Sequence, residues 1–166
     1  DYKSVNNNIR KQFVHLIINK NFIKAIEAMI HCGLLSRYLP AFEYIQGQMQ
    51  FDRYHRYPTD KHTLNILKEI NNILFNNKSS DIKKNNRLDN KINIDRTDLL
   101  FLAGLFHDLG KGRKTDHSIW GAQEIKVFAK THLYPPEDIK ILQFLVRHHL
   151  LMSQTAQKQD VYKTQT

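Results

Sequence analysis

Residues 99–112 read LLFLAGLFHDLGKG and form the most apolar segment of this 166-residue chain. The pattern predicts a buried helix over about residues 97–109, closed by the glycines that follow. Six of the seven residues before His107 are apolar. An ionised Asp108 in such surroundings is costly unless it is paired or bound to a cation. The segment therefore predicts the centre of the fold and a polar feature at its end.

Lys111 decides how the His107-Asp108 doublet is interpreted. An isolated His–Asp pair is explained most simply as a helix cap. Lys111 lies four residues after His107 and three after Asp108, so all three side chains can share one end of the helix. This combination favours two metal ligands, His107 and Asp108, beside one electrophile, Lys111.

Apolar residues recur at helical spacing through almost the whole chain, and no alternating strand pattern is evident. We therefore predict an all-α helical bundle with a metal site at its centre. Further helices are expected before a stop at Gly33, from an N-cap at Asp60 to about Phe75, from about Ser118 to Thr131, from Pro135-Pro136 to about Leu151, and in a short segment capped by Ser153. Two of these helices have predicted core stripes, formed by Ile66, Ile70 and Ile73 and by Ile119, Ala122, Ile125 and Phe128.

The chain divides into two predicted parts. Residues 1–40 form a helical lead-in segment, and residues 41–166 form the main domain. Within the main domain, residues 76–93 read NNKSSDIKKNNRLDNKIN, a low-complexity Asn/Lys-rich stretch. Its polarity predicts a flexible loop.

Composition excludes several classes of protein. The longest apolar run is too short to span a bilayer, so no membrane partner is expected. Cys32 is the only cysteine, which excludes a disulfide framework and fits a cytoplasmic location. Part of the net charge of +9 lies in the Asn/Lys-rich stretch, where Lys and Asn are enriched together, so nucleic acid is an unlikely partner. Because the chain does not begin with Met, we expect it to be a piece of a longer protein.

Further candidate ligands are spread over other predicted helices. Each has a simpler explanation alone: a buried His bonded to a carbonyl, a capping or solvated His, or an exposed acid. Together they suggest a site assembled between helices around Asp108. The candidates are His62 on the Ile66 and Ile70 stripe, His117 before a helix start, His148 or His149 at a helix end, and Asp160 in the polar tail. Periodicity does not choose between His148 and His149.

The donor types limit the cofactor to a divalent metal ion. Imidazole nitrogen and carboxylate oxygen without thiolate suit Mn, Fe, Zn or Co, and Mg is also possible. Asp108 could bridge two ions, which would clamp a phosphoryl group and generate hydroxide near neutral pH. One or two ions are therefore expected.

The order His62, His107-Asp108, Asp160 resembles the signature of the HD phosphohydrolase superfamily. The flanking sequence is more specific, and it resembles the HD-type uridylyl-removing domain of the bifunctional enzymes that modify the signalling protein PII. Four segments carry this resemblance: AMIHCGLLSRYLPAF (28–42), GQMQFDRYHRYPTDKHTLNIL (47–67), LFHDLGKGRKTDHSIWGAQE (105–124) and VRHHLLMSQTAQKQD (146–160).

The resemblance implies a helical HD fold and hydrolysis of the uridylyl–tyrosine phosphodiester on PII, which releases UMP in nitrogen regulation. It implies core metal ligands at His62, His107, Asp108 and Asp160, with His117 and His149 binding a second ion. His149 is favoured over His148 because the motif centres on the His directly before Leu-Leu-Met-Ser. Lys111 matches a family lysine, and Arg113 in the same loop is expected to assist it against phosphoryl charge.

The resemblance also implies a nucleotidyltransferase domain before this segment and glutamine-sensing ACT domains after it. Two other functions stay open at this point. One is an HD phosphohydrolase acting on a free nucleotide or a cyclic dinucleotide. The other is a non-catalytic helical module that uses its histidines structurally.

Overall fold

The computed structural model describes residues 1–49, 57–75, 95–111, 113 and 116–158. Every regular element within these ranges is helical, which confirms the predicted all-α class. The elements in chain order are α1 (Asn7–Ile17), α2 (Phe22–His31), α3 (Leu34–Tyr38), the 3₁₀ helix η1 (Pro40–Ile45), α4 (Thr59–Phe75), α5 (Thr97–Phe106), α6 (His117–Thr131), α7 (Pro136–Arg147) and α8 (Leu151–Lys158). None of the described helices is long and apolar enough to cross a membrane.

Helix α5 is the central element, as the stretch 99–112 predicts. All but one of its residues from Asp98 to Phe106 are buried. A helix that is apolar on all sides must be covered on all sides. Helices α1, α4, α6 and α7 pack on it and supply that cover. His107, the residue that follows α5, therefore lies among the helices that pack on α5.

The lead-in segment contributes to the same core. Tyr2 is fully buried and its hydroxyl donates a hydrogen bond to Glu124 Oε1 at 2.9 Å. The centroid of the Phe13 ring lies 4.5 Å from that of the Tyr38 ring and 6.0 Å from that of the Phe128 ring on α6. The division at residue 40 stays a prediction, and residues 76–93 lie outside the described residues.

Helix boundaries follow local signals with two exceptions, at Ser153 and Asp60. Ser153 does not cap the last helix, because α8 begins at Leu151 and Ser153 lies within it. Gly33 ends α2 as predicted, with φ of 70°, and Pro135-Pro136 begins α7. Asp116 is the N-cap of α6, where its side chain accepts from the backbone N–H groups of Ser118 and Ile119. The N-cap prediction at Asp60 is wrong, because α4 already begins at Thr59 and Asp60 lies in its first turn.

Two predicted core residues lie at the surface. Ile73 is 48% exposed and Ile119 is 41% exposed. On α4 the fully buried positions are Thr59, Thr63 and Leu67, so the inward face is rotated from the predicted stripe. Apolar spacing alone could not fix this rotation, because Leu64, Leu67 and Leu74 extend the apolar surface to one side of the isoleucine stripe. Ala122, Ile125 and Phe128 are buried on α6 as predicted.

Candidate metal centre

Asp108 lies just beyond the end of α5 with its side chain only 2% exposed. One ammonium and four imidazole nitrogens surround its two carboxylate oxygens. Lys111 Nζ lies 2.8 Å from Oδ2, His107 Nε2 3.1 Å from Oδ2, His62 Nε2 3.7 Å from Oδ2, His149 Nε2 3.6 Å from Oδ1, and His117 Nε2 3.9 Å from Oδ1. Five predicted site residues thus meet around the sixth.

Separate elements bring these side chains together. His62 lies in the first turn of α4, His117 is the first residue of α6, and His149 follows the end of α7. The imidazole rings are neighbours, with centroids 5.3 Å apart for His62 and His107 and 5.2 Å apart for His107 and His149. Because these helices all pack on or beside α5, the fold itself assembles the cluster.

Backbone carbonyls set the orientation of two of the rings. His107 Nδ1 lies 2.8 Å from the carbonyl oxygen of Gly104, and His149 Nδ1 lies 2.7 Å from that of Val146. A carbonyl oxygen only accepts hydrogen bonds, so Nδ1 carries the proton in both rings. In the neutral imidazoles, Nε2 then presents its lone pair to the Asp108 carboxylate. This arrangement is typical of metal-binding histidines.

The residues fit a divalent cation. His117 Nε2 and His149 Nε2 are buried and have no hydrogen-bond partner among the described residues. Buried polar atoms normally have a hydrogen-bond partner, so two such atoms without one require an explanation. The lone pair of each imidazole nitrogen repels the carboxylate oxygen that it faces, unless a proton or a cation lies between the two atoms. A cation held by imidazole nitrogen and carboxylate oxygen satisfies all three groups.

Two overlapping groups of donors share Asp108. One consists of His62, His107 and Asp108, and the other of Asp108, His117 and His149. In each group the ligand atoms lie within 4.8 Å of one another. Each group could hold a divalent cation, and a carboxylate that belongs to both groups is what a bridging role for Asp108 would require.

The electrostatics keep the donors in their metal-binding forms. Burial by itself would raise the pKa of Asp108, but His107, His149 and Lys111 outweigh it and hold that pKa far below its usual range. Burial lowers the pKa of His117, more than the nearby Asp108 raises it. The carboxylate is therefore ionised and His117 neutral near pH 7, which are the forms that bind metal.

The structure separates the two adjacent histidines that periodicity left open. His149 points its Nε2 toward Asp108, whereas the His148 ring lies 4.7 Å from that of the exposed Phe144. Asp160, the remaining predicted ligand, lies outside the described residues.

Arg113 lies between two aromatic rings. Its Cζ is 3.6 Å from the ring centroid of Trp120 and 4.1 Å from that of Tyr44. Sequence reasoning named Arg113 but missed both rings. Trp120 could have been found, because it follows His117 by three residues on the same helix. Tyr44 lies on η1 and gave no signal in the sequence.

Comparison with known proteins agrees with this site. The HD domain family matches residues 61–165, a span that contains every ligand candidate. The chain therefore belongs to the HD domain family, the metal-dependent phosphohydrolases that its sequence resembles.

Individual relatives show which members of the HD domain family the chain resembles. The bifunctional uridylyltransferase/uridylyl-removing enzyme of Vibrio parahaemolyticus is 41% identical over 154 residues, which is 92% of this chain and 17% of that protein. The enzymes of the same name from Legionella pneumophila and Azotobacter vinelandii are 41% and 39% identical over 86% and 90% of the chain. The chain spans 16% of the length of each of these two relatives.

Proposed function

We propose that this chain hydrolyses the phosphodiester between uridylyl and tyrosine on the PII signalling protein and releases UMP. One observation carries the proposal: imidazole lone pairs from separate helices converge on the buried Asp108 carboxylate. Relatives about 40% identical carry uridylyl removal in their name, which supports this reaction, and the choice of PII rests on the sequence resemblance. The proposal concerns that part alone, because the chain covers 17% of the first relative.

Each residue of the centre has a proposed task. His62, His107, His117, His149 and Asp108 would hold one or two divalent cations, and Asp160 is proposed as a further ligand. Mn or Mg is expected, with Fe, Zn or Co as alternatives. A cation bound there supplies a Lewis acid that polarises phosphoryl oxygens and activates water.

Lys111 lies inside the site, beside the shared carboxylate. Its side chain is 8% exposed and its Nζ lies 2.8 Å from Asp108 Oδ2. A buried ammonium beside the metal ligands offsets negative charge that develops on the phosphoryl oxygens. Asp108 in turn stabilises the buried ammonium, so the pair can occupy a site largely closed to water.

The leaving group makes modest demands on acid catalysis. A tyrosine phenol has a pKa of about 10, so its phenolate departs more readily than an alkoxide. The centre therefore needs to bind the phosphate, activate water and neutralise charge, which its described residues can support. This chemistry fits a cytoplasmic enzyme, and that location stays a prediction.

The test is incubation of the chain with uridylylated PII and Mn²⁺ or Mg²⁺, with UMP release followed by chromatography. We expect UMP release that is abolished by chelator and restored by metal. Free nucleotides and a cyclic dinucleotide serve as competing substrates. Faster turnover of either would replace PII as the substrate, and failure to bind any transition metal would favour a non-catalytic helical module.

A further inference from the structure

The guanidinium of Arg113 is stacked between two aromatic side chains beside the metal centre. Its Cζ lies 3.6 Å from the Trp120 centroid and 4.1 Å from the Tyr44 centroid. Contact with an aromatic face stabilises a guanidinium by about 0.5–1 kcal/mol at exposed sites and more where water is excluded. Two such contacts restrict the orientation of the group.

Arg113 contacts two aromatic rings, and no ion pair links it to an acid among the described residues. Arg113 Nε is buried and has no hydrogen-bond partner among the described residues. Arg96 provides the contrast, since its guanidinium bonds to the carboxylates of both Asp98 and Asp138. Within the part of the chain that the structure describes, no carboxylate forms such a pair with Arg113. Stacking uses the faces of a guanidinium and leaves its N–H edge for a ligand.

The stack lies next to the candidate metal centre. Arg113 follows Lys111 by two residues. Trp120 follows His117 by three residues on α6, so both side chains project from the same side of that helix. Tyr44 is 57% exposed, so the stack is open to solvent on one side. A planar cation at this position can reach an anionic ligand that enters from solvent.

We infer that Arg113 binds the phosphoryl oxygens of the uridylyl group, and that Tyr44 and Trp120 are positioning residues that hold its plane. The inference rests on the phosphodiester hydrolysis proposed above. A guanidinium held flat can donate two parallel N–H bonds to a phosphate, which an ammonium cannot reproduce. Tyr44 lies before the HD domain match at residues 61–165, so the preceding segment completes the substrate site.

The single tryptophan of the chain provides a direct measurement. Trp120 emission, excited selectively over tyrosine, is followed while UMP is added to the chain in Mg²⁺, and calorimetry gives the Kd independently. We expect saturable binding by the unmodified chain. Arg113→Gln should raise the Kd for UMP about tenfold or more, and Arg113→Lys should raise it about threefold.

Ring variants separate positioning from general structure. Tyr44→Leu should weaken UMP binding about threefold, whereas Tyr44→Phe keeps the ring and should recover most of that loss. Phe75→Leu is the matched control, because Phe75 is an exposed aromatic at the opposite end of α4 from His62. Metal affinity and urea unfolding should not differ between the Tyr44 variants. Equal UMP affinity in Arg113→Gln and the unmodified chain, equal affinity in Tyr44→Leu and Tyr44→Phe, or no UMP binding at all would overturn the inference.

The inference and the proposed function fail in different ways. If uridylylated PII releases no UMP but the variants lose UMP affinity in this order, the substrate is wrong and the phosphate-binding role of Arg113 stands. If UMP is released with unchanged kcat/KM in Arg113→Gln, the hydrolase function stands and the role of Arg113 is wrong.

Discussion

Buried carboxylates lie at both ends of α5, but the polar groups around them differ in whether they have hydrogen-bond partners. At the N-terminal end, Asp98 and Asp138 share the guanidinium of Arg96, with contacts of 3.0 Å and 2.6 Å. At the C-terminal end, Asp108 is contacted by Lys111 at 2.8 Å, but imidazole nitrogens stand 3.1–3.9 Å from its oxygens. Two of those nitrogens have no hydrogen-bond partner among the described residues.

The difference separates a structural ion pair from a binding site. In the Arg96 network both carboxylates accept hydrogen bonds from one guanidinium, so the network ties the start of α5 to α7. In the Asp108 cluster, the lone pairs of imidazole nitrogens face the carboxylate oxygens of Asp108. A protein keeps such an arrangement only where something else completes it.

The largest expected effect comes from removing the shared carboxylate. Asp108→Ala should abolish metal uptake and reduce UMP release by about a thousandfold or more, because both donor groups lose their common member. Metal content by mass spectrometry and single-turnover hydrolysis measure the two losses. Full metal content with normal turnover would show that the centre is wrongly assigned.

Breaking the other end of α5 should have a different kind of effect. Asp138→Asn removes a carboxylate that is 6% exposed and leaves Arg96 with a weaker partner. We expect the free energy of unfolding to fall by about 1–3 kcal/mol. This loss is smaller than that for a fully buried ion pair, because the Arg96 side chain is 45% exposed. Urea denaturation measures this loss, and metal content should stay unchanged. A loss of metal here would mean that the two ends of α5 are not independent.

A third change tests how the second donor group is positioned. Gly110 packs against the backbone of His117: an added Cβ would contact the His117 carbonyl oxygen and would lie 2.7 Å from its Cα. Gly110→Ala should therefore displace the start of α6 and weaken metal binding about tenfold, through His117 and not through His62. Calorimetric titration with Mn²⁺ measures the effect, with Asp138→Asn as a control for stability alone. Wild-type affinity would show that His117 is not a ligand.

The smallest expected effect concerns His132, a half-buried histidine outside both clusters. Tyr38 Oη donates to His132 Nε2 at 2.7 Å, and His132 Nδ1 donates to the Phe128 carbonyl at 2.7 Å. Burial lowers the pKa of His132 to about 4, against the opposing effect of the Phe128 carbonyl.

The lowered pKa fixes the sign of the pH dependence. The unfolded chain has a histidine pKa of about 6.5, so it binds more protons than the folded chain between about pH 6.5 and 4. Stability is therefore full above that window and falls as the pH falls through it. From pH 7 to 5 these two pKa values correspond to about 2 kcal/mol of lost stability, and the partial exposure of His132 reduces the expected loss to about 1 kcal/mol. The unfolding free energy of His132→Gln should change less over this range, and an equal change in both proteins would contradict the assignment.

Much of the fold and part of the site could be predicted from local patterns. The continuous apolar run before His107 predicted the central helix, and Gly33 and Pro135-Pro136 marked two helix boundaries. The positions of Ile73 and Ile119 were wrong, because both helices carry more apolar residues than the core accepts. The position of Tyr44 beside Arg113 could not be predicted, because 69 residues separate them in the chain.

The sequence by itself determined the all-α class, the buried His107-Asp108 doublet and the donor types that a metal would meet. These follow from short-range periodicity and from the cost of burying a carboxylate without a partner. Only the tertiary structure decided that His149 faces Asp108 while His148 faces Phe144. It alone placed Arg113 between two rings. Such choices depend on how each helix is rotated against its neighbours, and that rotation results from the packing of the whole core.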